Sequence, residues 1–348
     1  MRRITPVLAA SGLAAAVALA GCSAADPKPT VDQAIKALSE RQASTTTIRL
    51  DTTPADLDTV SKALEENANP TRMAQLNAAF KVIPMVSITS ATRAHEGTLQ
   101  QATSLDKVDF ATTVAVGDKS LEILKVNDKG FLRVDVDGIG QQTGLFSGAQ
   151  VRMMAAGLGA SKPWVSDLID GKWMQVDGVT MNELAAKATQ QAQAPQTIDP
   201  AKYLNVVTAN STVTKVNDTT YTVTTDAKGL IKGLADIDPN DKFTTEDADK
   251  AIADLQDGAN LDTTLTIESG KLTKASIDLA DVLRTWVKPS EGSGGDTLRR
   301  LQAAQFKLNL VAEISDQADI AEPASATTIP DKDVQDLLKG LNSLPGNR

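Results

Sequence analysis

The chain has 348 residues, with 35 Lys and Arg against 44 Asp and Glu, one histidine and one cysteine. A net charge of -9, with no Lys/Arg cluster interleaved with aromatics, excludes a nucleic-acid surface, because phosphate would be repelled. A single cysteine forms no intrachain disulfide, and aromatics at 3% amid abundant Thr, Val, Ala and Asp predict a folded, strand-rich protein.

Arg2 and Arg3 begin the chain, residues 4–25 carry no charge, and Leu19-Ala20-Gly21-Cys22 closes that run. The layout predicts a lipoprotein signal peptide over 1–21, cut before Cys22, whose sulfur then carries diacylglycerol. Two acyl chains suffice for stable anchoring where one is marginal. An uncleaved membrane span is the alternative, but Pro6, Ser11, Gly12 and the alanine content suit a signal segment better. Either way the body lies outside the cytoplasm, lipid-anchored to the extracytoplasmic face of the cell membrane. Without Arg2 and Arg3, 33 basic residues face 44 acidic ones, and about 327 residues remain for one large domain or two intimate ones.

Residues 22–30, with Pro27 and Pro29, read as a lipidated tether. Thr30 and Gln33 predict a capping box, with Val31, Ala34, Ile35 and Leu38 on one helical face. Ser44 to Leu50 reads as a strand, and Pro54 opens a helix burying Leu57, Val60 and Leu64, with helical spacing again at Met73, Leu76 and Phe80. The period then changes to two. Val82 to Ser90, Lys107 to Val116, Leu121 to Val126 and Phe131 to Val136 form an antiparallel meander with one polar face. Ala149 to Leu158 is helical and Lys172 to Val176 a short strand. The second half repeats this plan loosely: helices at Met181–Gln191 and Pro200–Val207, a hairpin turning at Asn217-Asp218, helices at Ala227–Ala235 and Glu246–Leu255, and strands around Leu265 and Leu272. Lys288 to Asp296 reads as a loop, Phe306 to Leu310 as the start of a last strand, and Val334 to Leu341 as a terminal helix.

Asp170-Gly171-Lys172-Trp173-Met174-Gln175-Val176-Asp177 followed by a helix, and Val213 to Thr225 followed by Lys228-Gly229-Leu230, carry a family resemblance. With the order of lipobox, tether, helix, strands, helical insert and strands, the chain resembles the actinobacterial LppX/LprG-type lipoproteins and the wider LolA-like group. The resemblance implies an α+β fold over 31–345, a single domain with two similar halves meeting near 195–210. Its core would be a strongly curved antiparallel sheet, an incomplete barrel, with helices covering the concave face. It also implies an apolar cavity that binds or carries an amphiphilic lipid or glycolipid.

Val151, Met153, Met154, Leu158, Trp164 and Trp173 are candidates for lining the mouth of such a cavity, methionine being adaptable. The alternative is an ordinary core between helix and sheet. No catalytic residue is expected. His95 lacks a Gly-x-Ser-x-Gly elbow and a second histidine, and Gly157 to Lys162 lacks Walker spacing. Asp236, Asp238, Asn240 and Asp247 fall at calcium-loop positions, yet Asp241 stands where glycine is needed, so a helix cap by Thr244 or Thr245 competes. The expectation is a non-enzymatic lipoprotein without cofactor or metal. Its partners are the membrane, a lipid or glycolipid ligand and an unidentified envelope protein. The other reading is a structural or accessory lipoprotein with a filled core.

Overall fold

A computed structural model describes residues 26–65, 70–102, 104–144, 146–159, 162, 164–177, 206–237, 244–289 and 293–334. Cys22 and its signal segment, the expected helix Met181–Gln191, all but the last two residues of the expected helix Pro200–Val207 and most of the terminal helix lie outside these residues.

The fold is α+β, built on one mixed sheet of twelve strands in the order β12-β6-β5-β4-β3-β2-β1-β11-β10-β9-β8-β7. Six strands form the first meander: β1 (Ala43–Asp51), β2 (Val86–Ala94), β3 (Val108–Val116), β4 (Lys119–Val126), β5 (Lys129–Val134) and β6 (Met174–Asp177). The second runs β7 (Ser211–Lys215), β8 (Thr220–Asp226), β9 (Asn260–Glu268), β10 (Lys271–Asp278) and β11 (Asn309–Ser315), which returns to pair with β1. The sheet stays open, and it is not wholly antiparallel: β12 (Thr327–Thr328) joins β6 in parallel. That pairing follows from topology, because after β11 the chain crosses the sheet along 316–326 before it can reach the β6 edge.

Helices are inserted mostly at one end. Between β1 and β2 come α2 (Pro54–Glu65) and α3 (Pro70–Val82), and between β5 and β6 come α4 (Val136–Thr143), α5 (Gly148–Gly159) and α6 (Trp164–Ile169). α7 (Ala227–Ile237) and α8 (Thr245–Ala253) precede β9, and α9 (Leu279–Thr285) and α10 (Ser293–Ala303) precede β11. The opposite end carries the turns with Asn127 and Ser269 at positive φ and the loop 95–107, whereas the β3–β4 turn at Gly117 lies at the helical end.

The first helix, α1 (Lys28–Ser39), starts earlier than its expected cap. Pro27 is the N-cap and Pro29 fills the first turn, where a missing N–H costs nothing, so Thr30 lies inside the helix. Lys28 Nζ donates to Thr208 O at 2.5 Å, fastening this end to the start of β7. Val31 and Ala34 then pack on Tyr221, Val223, Leu265, Ile267 and Leu272. Each such large side chain contributes about 1.5–3 kcal/mol by leaving water. Three further expectations shift. Pro84 falls in a 3-10 turn before β2, so that strand begins at Val86 rather than Val82. Ser293 onward is helical although glycines dominate the segment, with Asp296 in the first turn. The last strand starts at Asn309, Phe306 being buried beneath Arg284 instead.

Candidate functional site

Register assigns every strand residue to one of two faces. One row reads Val134, Leu121, Val114, Ile88, Ile48, Ala312, Ala275, Leu265 and Tyr221, all directly paired across neighbouring strands. Leu50, Leu310 and Ile277 belong to the next row toward the helical end. This is the apolar face. α1 covers it over β8 to β10, and α6 covers the other flank, where Trp164 packs with Met174, Val176, Ile329 and Val334.

Between those flanks no described element packs over the face. Ile48 is 41% exposed and Ile88 42% exposed, in the middle of the sheet where a filled core would bury them. The open floor covers β4, β3, β2, β1 and β11, which at ordinary strand spacing and rise makes a trough roughly 20 Å wide and roughly 20 Å long.

The trough changes character along the strands. Toward the loop end the row after Ile88 and Ile48 reads Thr112, Ser90 and Thr46, and the next reads Phe110, Thr92 and a half-buried Ser44. There a hollow of about 390 Å3 is lined by Ser44, Thr46, Ser90, Thr92, Leu99, Ala102, Ser104 and Val108. Its loop wall is tied down by backbone bonds from Leu99 N to Arg41 O at 2.8 Å and from His95 N to Lys107 O at 3.0 Å. Among the described residues no charged side chain lines it. Lys125, also on this face, is 1% exposed and donates from Nζ to Val108 O at 3.0 Å. That lysine belongs to the structure beneath the hollow.

The opposite face is polar and partly strapped. Thr47 and Thr89 share a hydrogen bond at 3.0 Å, and Arg49 pairs with Glu313 at 3.1 Å. Near the loop end residues 316–326 cross it, and Ile320 packs with Ala91, Leu124, Val126 and Phe131. Asp109, only 3% exposed, is the anchor. It accepts from Arg93 Nη2 at 2.8 Å and from the Asn127 N–H at 2.8 Å, and its other close partner is His95 Nε2 at 2.9 Å. Burial pushes this carboxyl upward, but Arg93, His95 and the Asn127 N–H outweigh burial and hold it at about 2. Arg93 also donates to Ile320 O at 3.2 Å, so the ion pair holds the strap. His95, exposed at the start of loop 95–107, is also a partner in this anchor.

Of the six residues expected to line a mouth, the four whose side chains are described lie apart. Trp164 is buried on the apolar side, whereas Trp173 packs with the strap cluster on the polar side, its ring 4.8 Å from the Arg133 guanidinium carbon. Val151 is half-buried and Met153 is 72% exposed on α5, while the side chains of Met154 and Leu158 lie outside the described residues. At the calcium-loop positions, Asp238 and Asn240 lie outside the described residues and Asp236 is exposed on α7. Asp247 completes a capping box with Thr244, whose hydroxyl donates to it at 2.7 Å. Among the described residues no group of three or more His, Cys, Asp or Glu could hold a metal ion, and no helix is long and apolar enough to cross a membrane.

The strands therefore define an α+β protein with an open mixed sheet and an exposed apolar trough. No protein-family model and no curated protein matches the chain. Among solved structures it is similar to the Mycobacterium tuberculosis lipoprotein LppX, at 8% identity and a TM-score of 0.30, over 85% of this chain and 96% of that one.

Proposed function

We propose that the protein is a lipid-anchored, extracytoplasmic lipoprotein that binds or carries an amphiphilic ligand, its acyl chains lying in the trough, without catalysing a reaction. The observation that carries this reading is the exposure of Ile48 and Ile88 at the centre of an otherwise apolar sheet face. Each CH2 that a bound chain removes from water contributes about 0.8 kcal/mol, so a surface of this size supports binding without charged contacts. A structural lipoprotein with a filled core fits this less well, because its own side chains would cover those isoleucines. The lipobox at Cys22 supplies the membrane address, and the open trough gives that address a purpose.

Uptake of a fluorescent long-chain fatty acid by the full chain tests the reading. Wild type is expected to saturate with a blue-shifted signal, and the Ile48→Asp/Ile88→Asp variant to lose at least tenfold in affinity while keeping its thermal midpoint. Equal uptake by both proteins, or none by wild type, would overturn it.

A further inference from the structure

The hollow at the loop end of the trough differs from its surroundings in a way that identifies the ligand's other half. Ser44, Thr46, Ser90 and Thr92 are neighbours on β1 and β2, paired Ser44 with Thr92 and Thr46 with Ser90. They therefore present a two-by-two patch of hydroxyls on the face that carries Ile48 and Ile88 one row away. None of the four side chains has a hydrogen-bond partner among the described residues, and all four line the same hollow of about 390 Å3. Some sheet hydroxyls are taken up, Thr45 donating to Gln317 O at 2.6 Å and Thr224 to Asp262 at 2.6 Å, and others such as Thr222, Thr264 and Ser276 are not, so what sets these four apart is the hollow that they share.

The chemistry of the lining selects among head groups. Hydroxyls donate and accept, as sugar and glycerol hydroxyls do, whereas phosphate is normally held by Arg, Lys or helix N-termini. Among the described residues no cationic side chain lines the hollow, and Lys125, buried beneath it, has its Nζ committed to Val108 O. Asp106, in the loop that walls the hollow, is held below the usual carboxylate range by the Ser104 hydroxyl first and by its own backbone N–H. Lys107 stands beside Asp106 and Lys125 also acts on it, so the loop charges offset and the selection rests on the hydroxyl lining. Leu99 and Ala102 supply an apolar lip against which the face of a sugar ring can rest.

We infer that this hollow is a head-group subsite for an uncharged, polyhydroxylated head, of the hexosyl or glycerol type, with the acyl chains running from it along the strands toward Ile48, Ile88 and the helical end. The inference rests on the proposed carriage of an amphiphile and adds the head-group class and the direction of the bound molecule.

The test compares three ligands with the same two acyl chains, presented in detergent below its micelle concentration: hexosyl-diacylglycerol, diacylglycerol and phosphatidylglycerol. Wild type is expected to prefer the hexosyl lipid over phosphatidylglycerol by about tenfold, the scale of two hydrogen bonds of ordinary net strength. Ser44→Ala/Thr46→Val/Ser90→Ala/Thr92→Val, which keeps side-chain shape, should reduce that preference to within about twofold while diacylglycerol binds as before. Ser90→Ala alone, at an exposed position, gives a smaller loss in the same direction and guards against misfolding of the fourfold variant. Equal affinity for all three lipids, or an unchanged preference in the variants, would overturn the subsite and leave carriage intact. Failure to bind any of the three would instead remove the reading on which it rests.

Discussion

On the polar face Phe131 is 1% exposed beneath the strap, whereas three strands away on the apolar face Ile88 is 42% exposed. In a soluble protein the reverse would be expected, with aliphatic floor residues covered and the charged face left to water. Here covering has gone to the polar side, where residues 316–326 lie on Ala91, Leu124, Val126 and Phe131 and are locked by the Asp109 anchor. Among the described residues the apolar side is covered only at its flanks, by α1 and α6. On the proposed reading, stability and binding are drawn from opposite faces of the same strands. The strap stiffens the sheet from behind, which leaves the front free for a ligand.

That division predicts unequal responses to mutation. The largest stability loss is expected at Phe131→Ala, about 3–5 kcal/mol from a buried aromatic in a cluster that cannot close up, read by urea denaturation. Asp109→Ala follows, at about 3 kcal/mol, because it strands Arg93 and the Asn127 N–H and frees the strap from β2. The same residue sets an acid limit. Its folded-state carboxyl lies near 2 against an ordinary value of 3.8, so its contribution is fully present above pH 4 and is lost as the pH falls toward 2. At most about 2 kcal/mol of stability should disappear across that window, and Asp109→Asn should flatten it.

On the other face, Ile48→Ala/Ile88→Ala should cost less than about 1 kcal/mol in stability, because both side chains already meet solvent. It should nevertheless weaken fatty-acid binding severalfold. The smallest effect is expected at Lys125→Met, within about 1 kcal/mol and in the stabilising direction, since a buried amine held by one carbonyl is replaced by an apolar chain of similar length. A large loss of binding in that variant would instead place the lysine in the site and break the comparison.

The meander was legible in the sequence because its period of two is strict: Val108, Phe110, Thr112, Val114 and Val116 do share one face of β3. The helices with good internal signals, at Pro54, Ala227 and Thr244-Thr245, also lie where those signals put them. The trough was not legible, for a physical reason. Alternation tells which residues are apolar, but only the fold tells which of them other elements fail to cover. Trp164 and Trp173 looked like one lining because they are near in sequence and aromatic; β6 sends its own and its preceding residue to opposite faces, and that separates them. Asp109 was likewise hidden, since an acidic residue next to Val108 reads as solvent-facing until Arg93 and the strap are seen to close over it. The four hydroxyls read as ordinary strand formers, and only register brings them together.

Native mass spectrometry of the full chain, extracted from its own membrane in mild detergent, tests the central claim most directly. One amphiphile is expected bound per chain, released on unfolding and absent from the Ile48→Asp/Ile88→Asp variant prepared in parallel. A wild-type protein that flies free of any bound lipid, or a variant that retains the same lipid at the same occupancy, would contradict it.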